Sequence, residues 1–141
     1  MGRHRSSLVP LALLYGALIV YASLYPFRGW TSSGQPLWAF VLEPWPRWWT
    51  AFDLISNLLG YMPLGALVAG AALRAEWTRS RALAASLVAG AALSGALETL
   101  QNFLPARVPS NLDWGLNVLG AAGGASGATG GVSAPFPLGA F

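Results

Sequence analysis

Acid and amide recur at the same spacing in two short stretches of this chain. Asp53 is followed by Asn57, and Asp113 by Asn117, each pair one helical turn apart. The match runs on to Leu59 and Gly60 against Leu119 and Gly120, and back to Thr50 and Ser110, three residues before each acid. The shared pattern is Ser/Thr-x-x-Asp-x-x-x-Asn-x-Leu-Gly. A third polar group surrounds Glu98, with Ser94 one turn before it and Gln101 one turn after, and Arg107 follows. "LYPFR" and "FLPAR" align Pro26 and Arg28 with Pro105 and Arg107. Together, Arg28, Asp53, Asn57, Glu98, Gln101, Arg107, Asp113 and Asn117 form a candidate binding set. Arg provides a bidentate contact for phosphate or carboxylate, while amides and carboxylates orient amide or sugar donors. Glu98 and Asp113 are also the candidate general bases, with Arg107 as anion stabiliser.

Other chemistries are disfavoured. The chain has no Cys, and its single His is His4 in the N-terminal tail, so thiol chemistry, His-based catalysis and His or Cys metal sites are not expected. No metal and no cofactor is expected. A structural role competes with each polar residue. Ser or Thr three residues before an acid is a capping pattern, and an acid in a helix's first turn is favoured by about 0.3 to 1 kcal/mol. Capping accounts for Asp53 and Asp113 but not for Asn57 and Asn117, one turn deeper on the same face. These amides should face protein, since an unpaired amide in hydrocarbon is costly. For Glu98 the competing role is an ion pair with Arg107 or Arg28 that holds helices together.

These residues must be positioned by membrane helices. Of 141 residues 55% are hydrophobic and only 9% charged, far below the roughly 25% charged of a soluble domain. The basic residues are eight Arg scattered along the chain, so no nucleic-acid footprint is present. A membrane span takes about 20 mainly apolar residues. Spans are expected at about 8–25, 54–73, 82–100 and, diluted by Gly, 114–132. A cleaved signal peptide is the alternative for the first, because "GRHRSS" is basic and "VYA" ends at Ala22. The apolar run continues past Ala22, which favours a span.

Arg3 and Arg5 before the first span, and Arg74, Arg79 and Arg81 between the second and third, place both termini in the cytoplasm. Arg28, Arg47 and Arg107 fall in the outer loops. The first of these, 26–53, holds Trp30, Trp38, Trp45, Trp48 and Trp49, as suits chain lying at headgroup level. The expected fold is an all-α membrane protein, a four-transmembrane-helix bundle built from two similar helical hairpins of like orientation, within a single domain over 1–141. Pro63 should kink the second span. Gly120 with Gly124, and Gly123 with Gly127, have the spacing of close membrane-helix contacts, within one bundle or between copies in a homo-oligomer.

"YASLYPF", "DLISNLLGYMPLG" and "ETLQNFLPARVPSNLDWGLNVLG" resemble the VanZ-like family of bacterial membrane proteins, over about residues 8–125. The resemblance carries the family's motif onto Asp53, Asn57, Pro63, Gly65, Glu98, Gln101, Arg107, Asp113 and Asn117. It implies a multi-pass protein of the bacterial cytoplasmic membrane, in a family whose namesake is associated with resistance to teicoplanin, a glycopeptide that binds peptidoglycan precursors. It implies no particular reaction. Beyond Gly120 the chain is richer in Gly than that family's fourth span should be, so the segment either packs unusually tightly or belongs to a longer protein. The leading reading is a protein that binds an envelope lipid or peptidoglycan-precursor head group at the outer polar cluster. A lipid-modifying enzyme using Glu98 or Asp113 with Arg107, an assembly protein without a ligand, and a transporter are the alternatives.

Overall fold

The computed structural model describes residues 7–131, and these are helical with connecting loops and no strand. The basic tail with Arg3, His4 and Arg5, and Val132, the last residue expected in the fourth span, lie outside the described residues. The helices are α1 (Leu8–Leu24), α2 (Ala39–Leu42), α3 (Ala51–Arg74), α4 (Arg79–Gln101) and α5 (Asn111–Gly130). The four long ones follow the expected spans, with α3, α4 and α5 each starting three residues early. A short helix inside the Trp-rich loop, α2, was not expected from the sequence.

Helix starts follow from capping. The Thr50 hydroxyl accepts from the Asp53 N–H at 3.1 Å while Asp53 Oδ2 accepts from the Thr50 N–H at 2.9 Å, which satisfies two of the free donors of the first turn. Ser110 Oγ accepts from the Asp113 N–H at 3.3 Å and starts α5. A Ser110→Ala variant keeps its backbone N–H but loses this cap, and is expected to lower stability by about 1 kcal/mol in thermal unfolding in detergent. Pro63 lies inside α3, which continues past it to Arg74. Pro63 has no N–H for the Leu59 carbonyl. At the next carbonyl, Gly60, the Tyr15 hydroxyl of α1 donates at 2.9 Å.

Side-chain contacts fix the directions of the helices. Tyr15 meets Gly60 and Leu8 meets Gly70, so α1 and α3 are antiparallel. Asn117 donates to Ser94 and Gly90 stands beside Ala121, so α4 is antiparallel to α5, and the Ser86 hydroxyl ties α4 to the Gly65 carbonyl of α3. Leu58 stands beside Gly120 and Met62 beside Gly124, which makes α3 and α5 parallel neighbours. This contact is backbone to backbone. A Cβ on Gly120 would overlap the Leu58 carbonyl oxygen and one on Gly124 that of Met62, while Gly65 on α3 admits the backbone of Ala121. Small residues thus allow the close packing expected of them. Gly123 and Gly127 do not share this role: the former reaches only the end of the Met62 side chain, and nothing lies near the latter.

Two helices, α3 and α4, are long and apolar enough to cross a membrane. The first helix, α1, is apolar but has 17 residues, and α5 has 20 but is diluted by Gly, Asn, Ser and Thr. The first loop docks on the end of the bundle where α1 and α4 finish and α3 and α5 begin. The Thr31 N–H donates to the Phe103 carbonyl at 2.9 Å, and the Asn111 side chain to the Glu43 carbonyl at 2.6 Å. From α2, Phe40 is buried and packs edge-on against Trp114 with ring centres 6.2 Å apart.

Candidate functional site

That end of the bundle contains a cavity of about 610 Å³. Seven of the expected site residues line it: Asp53 and Asn57 from α3, Glu98 and Gln101 from α4, Arg107 from the α4–α5 loop, and Asp113 and Asn117 from α5. The parallel α3 and α5 bring the two Asp and Asn pairs to one height. Antiparallel α4 brings Glu98 down to meet them.

Arg28 is not among the lining residues. The chain turns there, with Phe27 and Gly29 at φ 59° and 79°, and Arg28 between them is exposed. The Pro-x-Arg match of the sequence therefore does not give two equivalent arginines at the cavity.

The expected pairing of Glu98 with Arg107 is also corrected. Glu98 is only 4% exposed, and its Oε2 accepts from the Ser110 N–H at 2.7 Å. The bond runs across 12 residues and ties the end of α4 to the N-cap of α5. Arg107 instead donates through one nitrogen, Nη2, to the carbonyls of Ala22 at 3.1 Å and Tyr25 at 3.0 Å. These bonds close the end of α1, and nothing among the described residues engages Nε or Nη1. Gln101 Nε2 donates to the Ser23 carbonyl at 3.3 Å, a second tie from α4 to α1.

The Glu98 bond separates the two matched acids. In α3 the capping box is complete, because Asp53 reaches back to the Thr50 N–H. In α5 the equivalent donor, the Ser110 N–H, is held by Glu98, and the Asp113 carboxylate makes no hydrogen bond within the described residues. Asp53 is therefore a cap that also borders the cavity, whereas Asp113 is half-buried in the wall with its carboxylate unengaged.

Of the amides, Asn117 is 5% exposed and its Nδ2 donates to Ser94 Oγ at 2.8 Å. Its Oδ1 is buried without a partner among the described residues. Asn57, half-buried, faces the same cavity.

Sequence reasoning missed Tyr61, which is buried and lines the cavity. A signal existed, since Asp53, Asn57 and Tyr61 continue one helix stripe at four-residue steps. Ser23 and Ser56 line the cavity with no such signal.

The model of the VanZ/LLP1 family matches residues 5–129. The chain belongs to the VanZ/LLP1 family. The match takes in all of α1 through α4 and α5 to within one residue of its end, so each cavity residue is part of the VanZ/LLP1 region. No curated protein and no solved structure matches the chain.

Proposed function

We propose that this VanZ/LLP1-family chain is an integral protein of the bacterial cytoplasmic membrane that crosses the bilayer four times and binds the head group of an envelope lipid or peptidoglycan precursor. The observation that carries the reading is the cavity at one end of the bundle, with Arg107, three carboxylates and two Asn in its wall. The free edge of Arg107 suits a phosphate oxygen pair, and the carboxylates and amides suit the donors of the rest of a head group.

The surface supports the membrane setting. On α1, Leu13, Leu14 and Leu18 are all more than half exposed, a lateral apolar face that water would disfavour. Trp38, Trp45, Trp48 and Trp49 of the first loop are exposed beside the cavity end, and Trp77 is half exposed past the other end of α3. The 24 residues of α3 between these Trp groups span about 36 Å at 1.5 Å per residue, close to a hydrocarbon core with its interfaces. Arg74, Arg79 and Arg81 cluster at the Trp77 end, which supports a cytoplasmic setting for that end and an outer headgroup level for the cavity. Occupying a precursor head group there would alter teicoplanin susceptibility.

Native mass spectrometry of the detergent-purified protein tests the reading. Wild type should retain a phosphate-bearing lipid, and Arg107→Ala should reduce retention about tenfold, the value of one good charge-assisted contact. Wild type that carries no lipid under conditions preserving its fold would defeat it.

One observation favours a second reading, a lipid-modifying enzyme: the Asp113 carboxylate is unengaged and so available as a base, with Arg107 across the cavity for a developing anion. That reading requires bound lipid to change in mass on incubation. The Glu98 bond to α5 favours a third element, an assembly role for Glu98 alone.

A further inference from the structure

A second concavity lies on two of the helices that wall the polar cavity. It is a lateral groove of about 580 Å³ between α1 and α3, lined by Leu11, Leu14, Tyr15, Ala17 and Leu18 of α1 and by Leu67 of α3. Tyr15 is its one polar side chain, and that hydroxyl is committed to the Gly60 carbonyl at 2.9 Å. Such a wall offers water no set of partners, so it suits hydrocarbon.

Position ties the groove to the cavity. Leu11, Tyr15, Leu18 and Ala22 follow one face of α1 at three- and four-residue steps, and Ser56, Gly60 and Leu67 follow one face of α3. Ala22, Ser56 and Gly60 line the cavity, and the others line the groove. The Tyr15–Gly60 bond is the border between them, with its donor in the groove wall and its acceptor in the cavity wall. On the cavity side of that border Ala22 and Phe52 are both exposed, so the α1–α3 seam is open laterally there.

Length and wall chemistry select the occupant. From Ala22 back to Leu11, α1 runs about 16 Å at 1.5 Å per residue, about half of a 30 Å hydrocarbon core and so the depth of one leaflet. A lipid at the outer headgroup level has its chains at that depth. A second helix would pack through small residues that let backbones approach, but four Leu and a Tyr line this groove and Ala17 alone is small.

Resting on the head-group reading above, we propose that the groove between α1 and α3 holds a hydrocarbon chain of the same lipid molecule whose head group occupies the cavity, and that this lipid enters sideways through the α1–α3 seam. Lipid tails are as apolar as leucine, so the groove selects by shape and direction rather than by hydrophobicity. A chain laid along α1 delivers its head group to the end of the bundle where Arg107 stands.

The test is photolabelling of the full chain in detergent. The probe is phosphatidic acid, the simplest phosphate-bearing lipid, with a diazirine at the middle of one palmitoyl chain. Retained probe is counted by native mass spectrometry, and after illumination the labelled residues are located by peptide mass spectrometry. Labels should favour residues 11–18 and Leu67 about tenfold over Val88 of α4 and Leu119 of α5, which are apolar and exposed elsewhere. In Arg107→Ala the groove labels should fall about tenfold, in step with retention. Labels spread evenly over the groove, Val88 and Leu119, with retention still dependent on Arg107, overturn this proposal and leave the head-group reading standing. Groove labels and retention both unchanged in Arg107→Ala overturn the head-group reading together with the pairing of chain and head. No retained probe in folded wild type also overturns both. Ala17→Trp is the second variant, since it obstructs the groove from a position that does not line the cavity. It should lower retention about tenfold, and retention equal to wild type at an equal melting temperature overturns the groove.

Discussion

Gly124→Val is expected to be the most damaging single substitution in the α3–α5 contact, lowering stability by about 3 kcal/mol, the upper end of overpacking costs. The new Cβ would fall 2.7 Å from the Met62 carbonyl carbon and overlap its oxygen. A flexible side chain could move away from such a collision, but here the obstacle is backbone held in a helix. The two helices must separate, and the packing across Gly120 and Gly65 is lost with them. Gly127→Ala is the control on the same helix. Nothing lies within 4 Å of the added methyl, so the better helix propensity of Ala should leave stability unchanged or raise it by up to about 1 kcal/mol. Thermal unfolding of both variants in one detergent measures the contrast, and a Gly124→Val protein that melts with wild type would refute the close contact.

Glu98→Ala is the second large effect. The substitution removes a buried acceptor held at 2.7 Å from the Ser110 N–H, and leaves that donor unsatisfied beside an emptied space, at a cost of about 2 to 3 kcal/mol. Glu98→Gln retains an amide oxygen for the same N–H and should fall much closer to wild type. Had Glu98 been paired with Arg107, neutralising it would strand a charge, and Gln would be nearly as harmful as Ala. The melting temperatures of Ala, Gln and wild type therefore separate a helix staple from an ion pair. Equal losses in the two variants would contradict the geometry.

Much of this site was legible because its signals are periodic. A four-residue step between acid and amide fixes a helix face, and Pro-x-Arg exits followed by returning helices put the matched ends together. What sequence spacing does not encode is which donor a buried carboxylate meets. Opposite charge made Arg107 the natural partner for Glu98, but the start of α5 presents backbone N–H groups with no helical acceptor, and one of them reached Glu98 first. Arg107 then turned to the carbonyls at the end of α1, themselves short of donors. Arg28 lies off the cavity for a local reason, the turn through Phe27 and Gly29, which no pairwise match of motifs anticipates. The last helix, α5, was legible as a helix but not as an apolar one. Of its glycines, Gly120 and Gly124 are explained by the proximity of the α3 backbone.

That proximity has a consequence for biogenesis. Newly made helices enter a bilayer according to their own hydropathy, and α5, with Asn117, Ser126 and Thr129 among its glycines, has little of it. Its complementary surface exists only on a helix already formed, the row of carbonyls at Leu58 and Met62. In the membrane reading α5 thus depends for its place in the bilayer on α3, which precedes it in the chain. Assembly acquires an order, first the α3–α4 hairpin and then α5, and the cavity comes into being with the last step.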